Sequence, residues 1–285
     1  MTIELHPDDA GYPGRLRDLA RGTPDPLYAL GETPWPDIPL VTIVGSRAAT
    51  RYGRAAAARI AARCAAAGVG VVSGLALGID GAAHRAALER GGWTVAVLGG
   101  GVDRIYPPEH ASLYTAIARA GRVLSPWPPG TQPAHFRFPA RNRVVAALGD
   151  VTVIVQADAV SGSRHTVRAA LALGRCVRVA PWPLDHPAYA GNAAWARDRR
   201  CAVLASADEP ARLAAEAWAA RRQRAEPADD RARIEQALAG GPRTLDALAR
   251  ATGLQVAAAA RAATALEISG RIERTGADRY RRRPL

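Results

Sequence analysis

Six short runs in this chain are apolar at nearly every position: LVTIV at 40–44, VGVVS at 69–73, TVAVL at 94–98, RVLS at 122–125, VTVIV at 151–155 and CVRVA at 176–180. Stretches with helical character separate them, at 52–67, 80–89, 110–120, 141–148 and 166–173. A strand facing water on one side alternates polar and apolar residues, so continuous apolar runs mean strands covered on both faces. Strands joined through helices must lie parallel, because each crossover packs its helix back onto the sheet. The pattern predicts an α/β chain with an extended, Rossmann-like, doubly wound and mostly parallel sheet over residues 40–220.

Other boundaries follow from composition. Residues 1–39 carry Pro7, Pro13, Pro24, Pro26, Pro34, Pro36 and Pro39, which suits a short packed N-terminal arm. The charged stretch RRQRAEPADDRAR begins at 221, and 221–229 is expected to be a linker. Residues 230–285 read helix, turn, helix, turn, helix and then a β-hairpin, the order of a small C-terminal winged helix.

The 38 basic residues outnumber 26 acidic ones, leaving a net charge of +12, which points to a polyanionic partner. Lysine is absent, so each basic group is a guanidinium, a planar fork that binds phosphate through two N–H groups and stacks on bases. Cys64, Cys176 and Cys201 are far apart and outside any CxxC pair, which argues against a disulfide framework and a zinc site; no metal is expected. The first thirty residues hold Asp8, Asp9, Arg15, Arg17, Asp18 and Arg21 without a signal-like apolar run, and no stretch is long enough to span a bilayer. A cytoplasmic protein without a membrane partner is expected.

In such sheets ligands sit outside the carboxyl ends of the strands, and the informative loops fall there. After the first run, VGSRAATRYG places Ser46 and Arg47 in a glycine-flanked turn able to approach phosphate; its spacing is not GxGxxG, so no nicotinamide cofactor, and no other cofactor, is expected. The second gives SGLALGIDGAAH, with Ser73, Gly74, Leu75 and Gly78 in the turn. Asp80 and His84 lie four apart on one helical face, as a capping carboxylate with a structural histidine or a general base with its orienting acid. No nucleophile joins them, and no catalytic residue is expected. The third gives Gly99, Gly100, Gly101 and then Arg104. The fourth is followed by SPWPPGTQPAHFRFPARNRVV, where His135, Phe136, Arg137, Phe138, Arg141, Asn142 and Arg143 interleave rings that stack on bases with cations that hold phosphates. After the fifth, Ser161, Gly162, Ser163 and Thr166 offer hydroxyls and amides at a helix start, an anion cradle or an N-cap.

In order, VGSR at 44–47, Tyr52-Gly53, SGLALGID with His84, LGGGVDRIYPPEH at 98–110, FPARNRVVAAL at 138–148 and SGS at 161–163 resemble the DprA/Smf family of DNA-processing proteins over roughly residues 10–205. The resemblance implies a Rossmann core that binds single-stranded DNA, forms a homodimer and loads the recombinase RecA during natural transformation. It marks Ser46, Arg47, the loop from Ser73 to Asp80 and the segment from Phe138 to Arg143 as the strand-binding site. The chain departs from the family pattern at Leu77, where arginine is usual, at Gln156 in place of glutamate, at Arg164 in place of an apolar residue and at Trp182 in place of glycine. One positive group is lost and another gained nearby.

Two other functions share these elements. A nucleotide phosphoribohydrolase would need a PGGxGTxxE loop, but the glycines here continue as Val102-Asp103-Arg104. A nucleotide-sensing transcription regulator would need a sequence-reading helix, but 254–266 is mostly alanine, with Gln255 and Arg261 alone suited to base edges.

Overall fold

A computed structural model of the chain describes residues 2–9, 11–31, 33–275 and 279–283. It separates into two units, Met1–Trp218 and Ala219–Leu285.

The first unit is built on β1 (Ile3–Leu5), β2 (Leu27–Leu30), β3 (Leu40–Val44), β4 (Gly70–Ser73), β5 (Thr94–Val97), β6 (Arg122–Ser125), β7 (Val151–Ile154), β8 (Cys176–Val179) and β9 (Cys201–Val203). The connecting helices are α1 (Arg51–Ala66), α2 (Ile79–Glu89), α3 (Ala111–Ala120), α4 (Arg137–Leu148), α5 (Ser163–Ala172) and α6 (Ala190–Ala196), followed by α7 (Glu209–Ala237). The strands form one sheet in the order β1-β2-β6-β5-β4-β3-β7-β8-β9. All neighbours from β6 to β9 run parallel, while β2 joins β6 and β1 joins β2 antiparallel. This is the doubly wound, Rossmann-like sheet that the apolar runs predict.

Burial on both faces is visible within single strands. In β3, Val41 and Ile43 join a core with Ala57, Ile60 and Ala61 of α1 and Ala83 and Ala87 of α2. Their neighbours Leu40 and Val44 join the opposite core with Leu16, Val144, Val145 and Leu148.

Four segments differ from expectation. The proline-rich start contributes two strands to the main sheet, and Leu16, Leu27 and Ala29 are fully buried. The prolines stand between these elements, where a missing N–H costs no ladder bond. A buried ion pair, Arg15 Nη2 to Asp150 Oδ2 at 2.8 Å, ties this segment to the start of β7, and Asp150 also accepts from the Leu40 amide at 2.9 Å. Residues 221–229, expected as a linker, fall within α7. α4 and α5 begin earlier than the apolar periodicity suggested, at Arg137 and Ser163.

The second unit has the winged-helix order. The end of α7 is followed by β10 (Arg243–Thr244), α8 (Leu245–Thr252), α9 (Val256–Ile268), β11 (Ile272–Arg274) and β12 (Arg279–Arg282). The Thr244 hydroxyl caps α8 by accepting from the Ala247 amide at 3.3 Å. β12 pairs antiparallel with β10 and β11. Ile234, Leu238, Leu248, Ala263, Leu266, Ile272 and Tyr280 fill this unit's own core. No helix among the described residues is long and apolar enough to cross a membrane.

Candidate nucleic-acid interface

The winding order creates the site. From β3 the chain proceeds through β4 and β5 to β6, and α4 then returns it to β7 on the other side of β3. At such a reversal the loops after the two central strands diverge and leave a crevice at the carboxyl edge. Here those loops are 45–50 and 155–162, and between them lies a cleft of about 450 Å³.

The first loop is held from behind by Gln156. Its carbonyl accepts from the Ser46 amide at 2.7 Å, and its side-chain Oε1 accepts from the Thr50 amide at 2.9 Å and the Thr50 hydroxyl at 3.0 Å. Its Nε2 donates to the Ala48 carbonyl at 3.5 Å. With the Thr50 proton directed at Gln156, the Tyr189 hydroxyl donates to Thr50 Oγ1 at 2.7 Å. Gly78, at φ +79°, closes the second loop against the first: a Cβ there would stand 2.3 Å from the Ser46 carbonyl oxygen.

Arg141 is a strut. Only 4% exposed, it donates from Nη1 to the carbonyls of Gly74, at 2.6 Å, and Val97, joining the ends of β4 and β5. Burial lowers its pKa to about 10, against the opposing pull of Asp80. Asp80 accepts from the amides of Gly74 at 3.1 Å and Ala76 at 3.3 Å. Burial pushes its carboxyl up, while the Arg141 guanidinium and these donors pull it down. Asp80 and Arg141 thus shape the loop and line the cleft floor together.

Over this floor the aromatic and cationic groups stack. The Arg47 guanidinium lies 4.8 Å from the centre of the Phe138 ring, and the Tyr106 ring lies on Phe138 at 5.7 Å with a 34° tilt. His135 meets Phe138 edge-on at 6.4 Å. Across the cleft, the Ser161 and Ser163 hydroxyls are 2.8 Å apart at the start of α5, and Asn142 Nδ2 reaches the Gly162 carbonyl at 3.4 Å. Hydroxyls at a helix start together with an arginine make a cradle for an anionic oxygen.

Of the residues singled out from sequence, Ser46, Arg47, Asp80, His135, Phe138, Arg141, Asn142, Ser161, Gly162 and Ser163 line this cleft. Gly74 and Arg104 line a smaller recess on the other side of Phe138. Ser73, Leu75, Gly78 and Arg143 do not reach either lining. Ser73 is fully buried and donates to the Ile43 carbonyl at 2.6 Å, and Leu75, also buried at φ +59°, has its carbonyl bonded to His110 Nδ1 at 3.0 Å. The Arg143 guanidinium instead lies against Gly22. Asp80 and His84 do not act on each other: His84 Nδ1 meets the Thr94 hydroxyl at 2.7 Å, deep in the protein.

Sequence reasoning passed over Tyr106 and Tyr189, and marked Gln156 only as a departure from the family pattern. Tyr106 stood in the glycine-rich third loop as an aromatic beside a cation, the same signal that drew attention to Phe138. Among the departures, Leu77 lines the recess, while Arg164 is exposed and lies outside the cleft lining, so the charge missing at 77 is not restored there. No group of three or more metal-ligating side chains occurs among the described residues.

Residues 4–213 match the family of DNA recombination-mediator protein A, and residues 219–277 match the DprA winged helix domain. The chain belongs to the DNA recombination-mediator protein A family. Within the DprA family, the chain is 48% identical over 167 residues to a putative DNA processing protein DprA of Mycobacterium tuberculosis, covering 58% of this chain and 43% of that one. It is 39% identical over 173 residues to DNA processing protein DprA of Streptococcus pneumoniae, covering 61% of each. The matched region thus spans about half the length of these relatives. Among solved structures, DprA from S. pneumoniae superposes with a TM-score of 0.68 at 33% identity, covering 73% of this chain and 72% of that one. DNA processing protein A from Helicobacter pylori, solved to describe its single-stranded DNA binding mode, superposes with a TM-score of 0.66 at 30% identity, covering 73% and 93%.

Proposed function

We propose that the cleft at the carboxyl edge of β3 and β7 binds single-stranded DNA, and that the protein acts by binding rather than catalysis. The observation that carries this reading is the Arg47–Phe138 stack at the mouth of a cleft whose opposite wall is the start of α5. Phosphates then sit against Arg47, Ser46 and the 161–163 turn, and an unpaired base lies on the ring column. A duplex keeps its base faces stacked inside and cannot use such a column, so the arrangement favours single strands. The DNA-binding mode described for the H. pylori relative supports the same reading. In the wider role we infer, a cytoplasmic homodimer coats incoming single strands during natural transformation and passes them to RecA.

The test is fluorescence anisotropy with labelled single-stranded and duplex oligonucleotides across a salt series, for the native chain and Arg47→Ala. Log affinity for the single strand should fall with log salt, by a slope of about 0.7 per phosphate contacted, and Arg47→Ala should make the slope shallower. A preference for duplex, or an unchanged slope in Arg47→Ala, overturns the assignment.

A further inference from the structure

We propose that the groove between α5 and α6, on the far side of the 161–163 turn from the cleft, is a second stretch of the single-strand path, holding two further phosphates and one stacked base. The proposal rests on the single-strand reading of the cleft and extends its footprint.

The groove measures about 360 Å³. Asp158, Ser161 and Ser163 line it and the cleft alike, so the turn after β7 is a saddle between the two rather than an outer wall. A strand leaving the cleft over this saddle arrives at the outer face of α5. Helical geometry sorts the side chains there. His165 turns to the cleft, while Arg164 and Arg168, four residues apart, turn together into the groove.

Both arginines are exposed, and neither guanidinium has an ion-pair or hydrogen-bond partner among the described residues. Residues at this spacing carry Cβ atoms about 6 Å apart, so the two cations form a short row that successive phosphates of one strand follow. The groove's carboxylates do not cancel that charge. Asp198 is held by Arg200, Nη2 to Oδ2 at 2.7 Å, which leaves Asp158 alone against two guanidiniums, and Asp158 Oδ1 already accepts from the Val160 amide at 2.9 Å. Arg164 stands where the family pattern has an apolar residue, so this row is the chain's own.

Trp195 supplies the platform. It lines the groove opposite the arginines and packs from behind against the core that holds Val167, Val177 and Val179. An indole fixed on one side and open on the other stacks on any base, because each base presents a π face. Cations that track phosphates beside a ring that takes a base are the two parts of a single-strand groove.

The groove is also set before ligand arrives. Asn192 of α6 is fully buried: its Oδ1 accepts from the Ala157 amide at 2.8 Å, and its Nδ2 donates to the carbonyls of Val155 at 3.0 Å and Ala180 at 3.2 Å. The Gly191 amide donates to the Ala157 carbonyl at 2.9 Å, and a Cβ on Gly191 would stand 2.4 Å from the Asp158 carbonyl oxygen. α6 is thereby fastened to the loop after β7, and a fixed wall loses little freedom on binding.

The experiment measures affinities and salt slopes of the full chain for labelled (dT)4 and (dT)20, with the double variants Arg164→Ala/Arg168→Ala and Arg164→Lys/Arg168→Lys and the single variants Trp195→Leu and Trp195→Phe. Tryptophan fluorescence during urea unfolding checks that each variant is folded. The alanine pair should lower the (dT)20 slope by about 1.4, two phosphates at about 0.7 each, and weaken (dT)20 by about tenfold at 0.15 M salt. The lysine pair, which keeps both charges, should hold the native slope. (dT)4, which fits within the cleft, should bind the native chain and the alanine pair alike. Trp195→Leu keeps apolar contact with the core but removes the π face, so (dT)20 should weaken by roughly 5- to 150-fold with an unchanged slope, and Trp195→Phe should restore binding. A native slope in the alanine pair, a loss as large for (dT)4 as for (dT)20, or native (dT)20 affinity in Trp195→Leu overturns the groove while leaving the cleft reading intact. Failure of the native chain to bind any single strand overturns both.

Discussion

His84 should make the first unit acid-sensitive by a calculable amount. Its Nδ1 lies 2.7 Å from Thr94 Oγ1, whose own proton is directed to the Val71 carbonyl at 2.9 Å, so the ring nitrogen is the donor and Nε2 carries the lone pair. Nε2 is buried with no hydrogen-bond partner. Protonation there would place a cation in an apolar interior, and burial, reinforced by the neighbouring His110, Arg141 and Arg85, lowers the pKa from 6.5 to about 3. Between those values the unfolded chain binds a proton that the folded chain refuses. The contribution is therefore fully present above about pH 6.5 and is lost progressively as pH falls toward 3. Between pH 7.5 and 5.0 the linkage amounts to about 2 kcal/mol.

The assay is urea unfolding followed by tryptophan fluorescence, which reports this unit alone because all six tryptophans, at 35, 93, 127, 182, 195 and 218, lie within it. His84→Leu keeps the volume apolar and leaves Thr94 bonded to Val71. It should remove most of the 2 kcal/mol loss while lowering stability at pH 7.5. If His84→Leu and the native chain lose the same stability between the two pH values, the buried neutral histidine is not the cause and the reasoning is refuted.

Gly99→Ala would place a Cβ 2.6 Å from Phe138 Cδ1, so it should cost about 1–3 kcal/mol in urea unfolding, and Phe138→Ala in the same chain should recover most of it. Gln156→Glu exchanges the amide that faces the Ala48 carbonyl for a buried carboxylate, so single-strand affinity should drop several-fold at pH 8 and recover toward pH 6, with the native chain nearly level over that range. Arg47→Ala should reduce the salt slope more than Arg143→Ala, because the Arg143 guanidinium lies against Gly22, outside the cleft lining; equal reductions would show that Arg143 reaches the strand.

The sheet was legible because both faces of β3 to β8 are covered, which leaves an uninterrupted apolar signature such as LVTIV. β1, β2 and β9 were not: IEL and CAV have three residues each, and LYAL sits among prolines, too short for any periodicity to stand out. At the site, glycine turns and interleaved aromatic and basic residues pointed to the loops that line the cleft. They did not reveal which way each arginine turns. Arg141, Asn142 and Arg143 are consecutive, but helical geometry rotates each by about 100°, so one becomes a buried strut, one reaches the 161–163 turn and one faces Gly22. The role of Gln156 was not legible because it holds another loop, a contact 106 residues away in sequence.

The most direct test of the central claim is photocrosslinking of the full chain to a single-stranded oligonucleotide carrying 5-iodouracil, with the attached peptides identified by mass spectrometry. The account predicts crosslinks at the aromatic column, on peptides containing Phe138 and Tyr106, with none when Arg47→Ala is used at moderate salt. Crosslinks confined to the winged helix, residues 243–283, would contradict it.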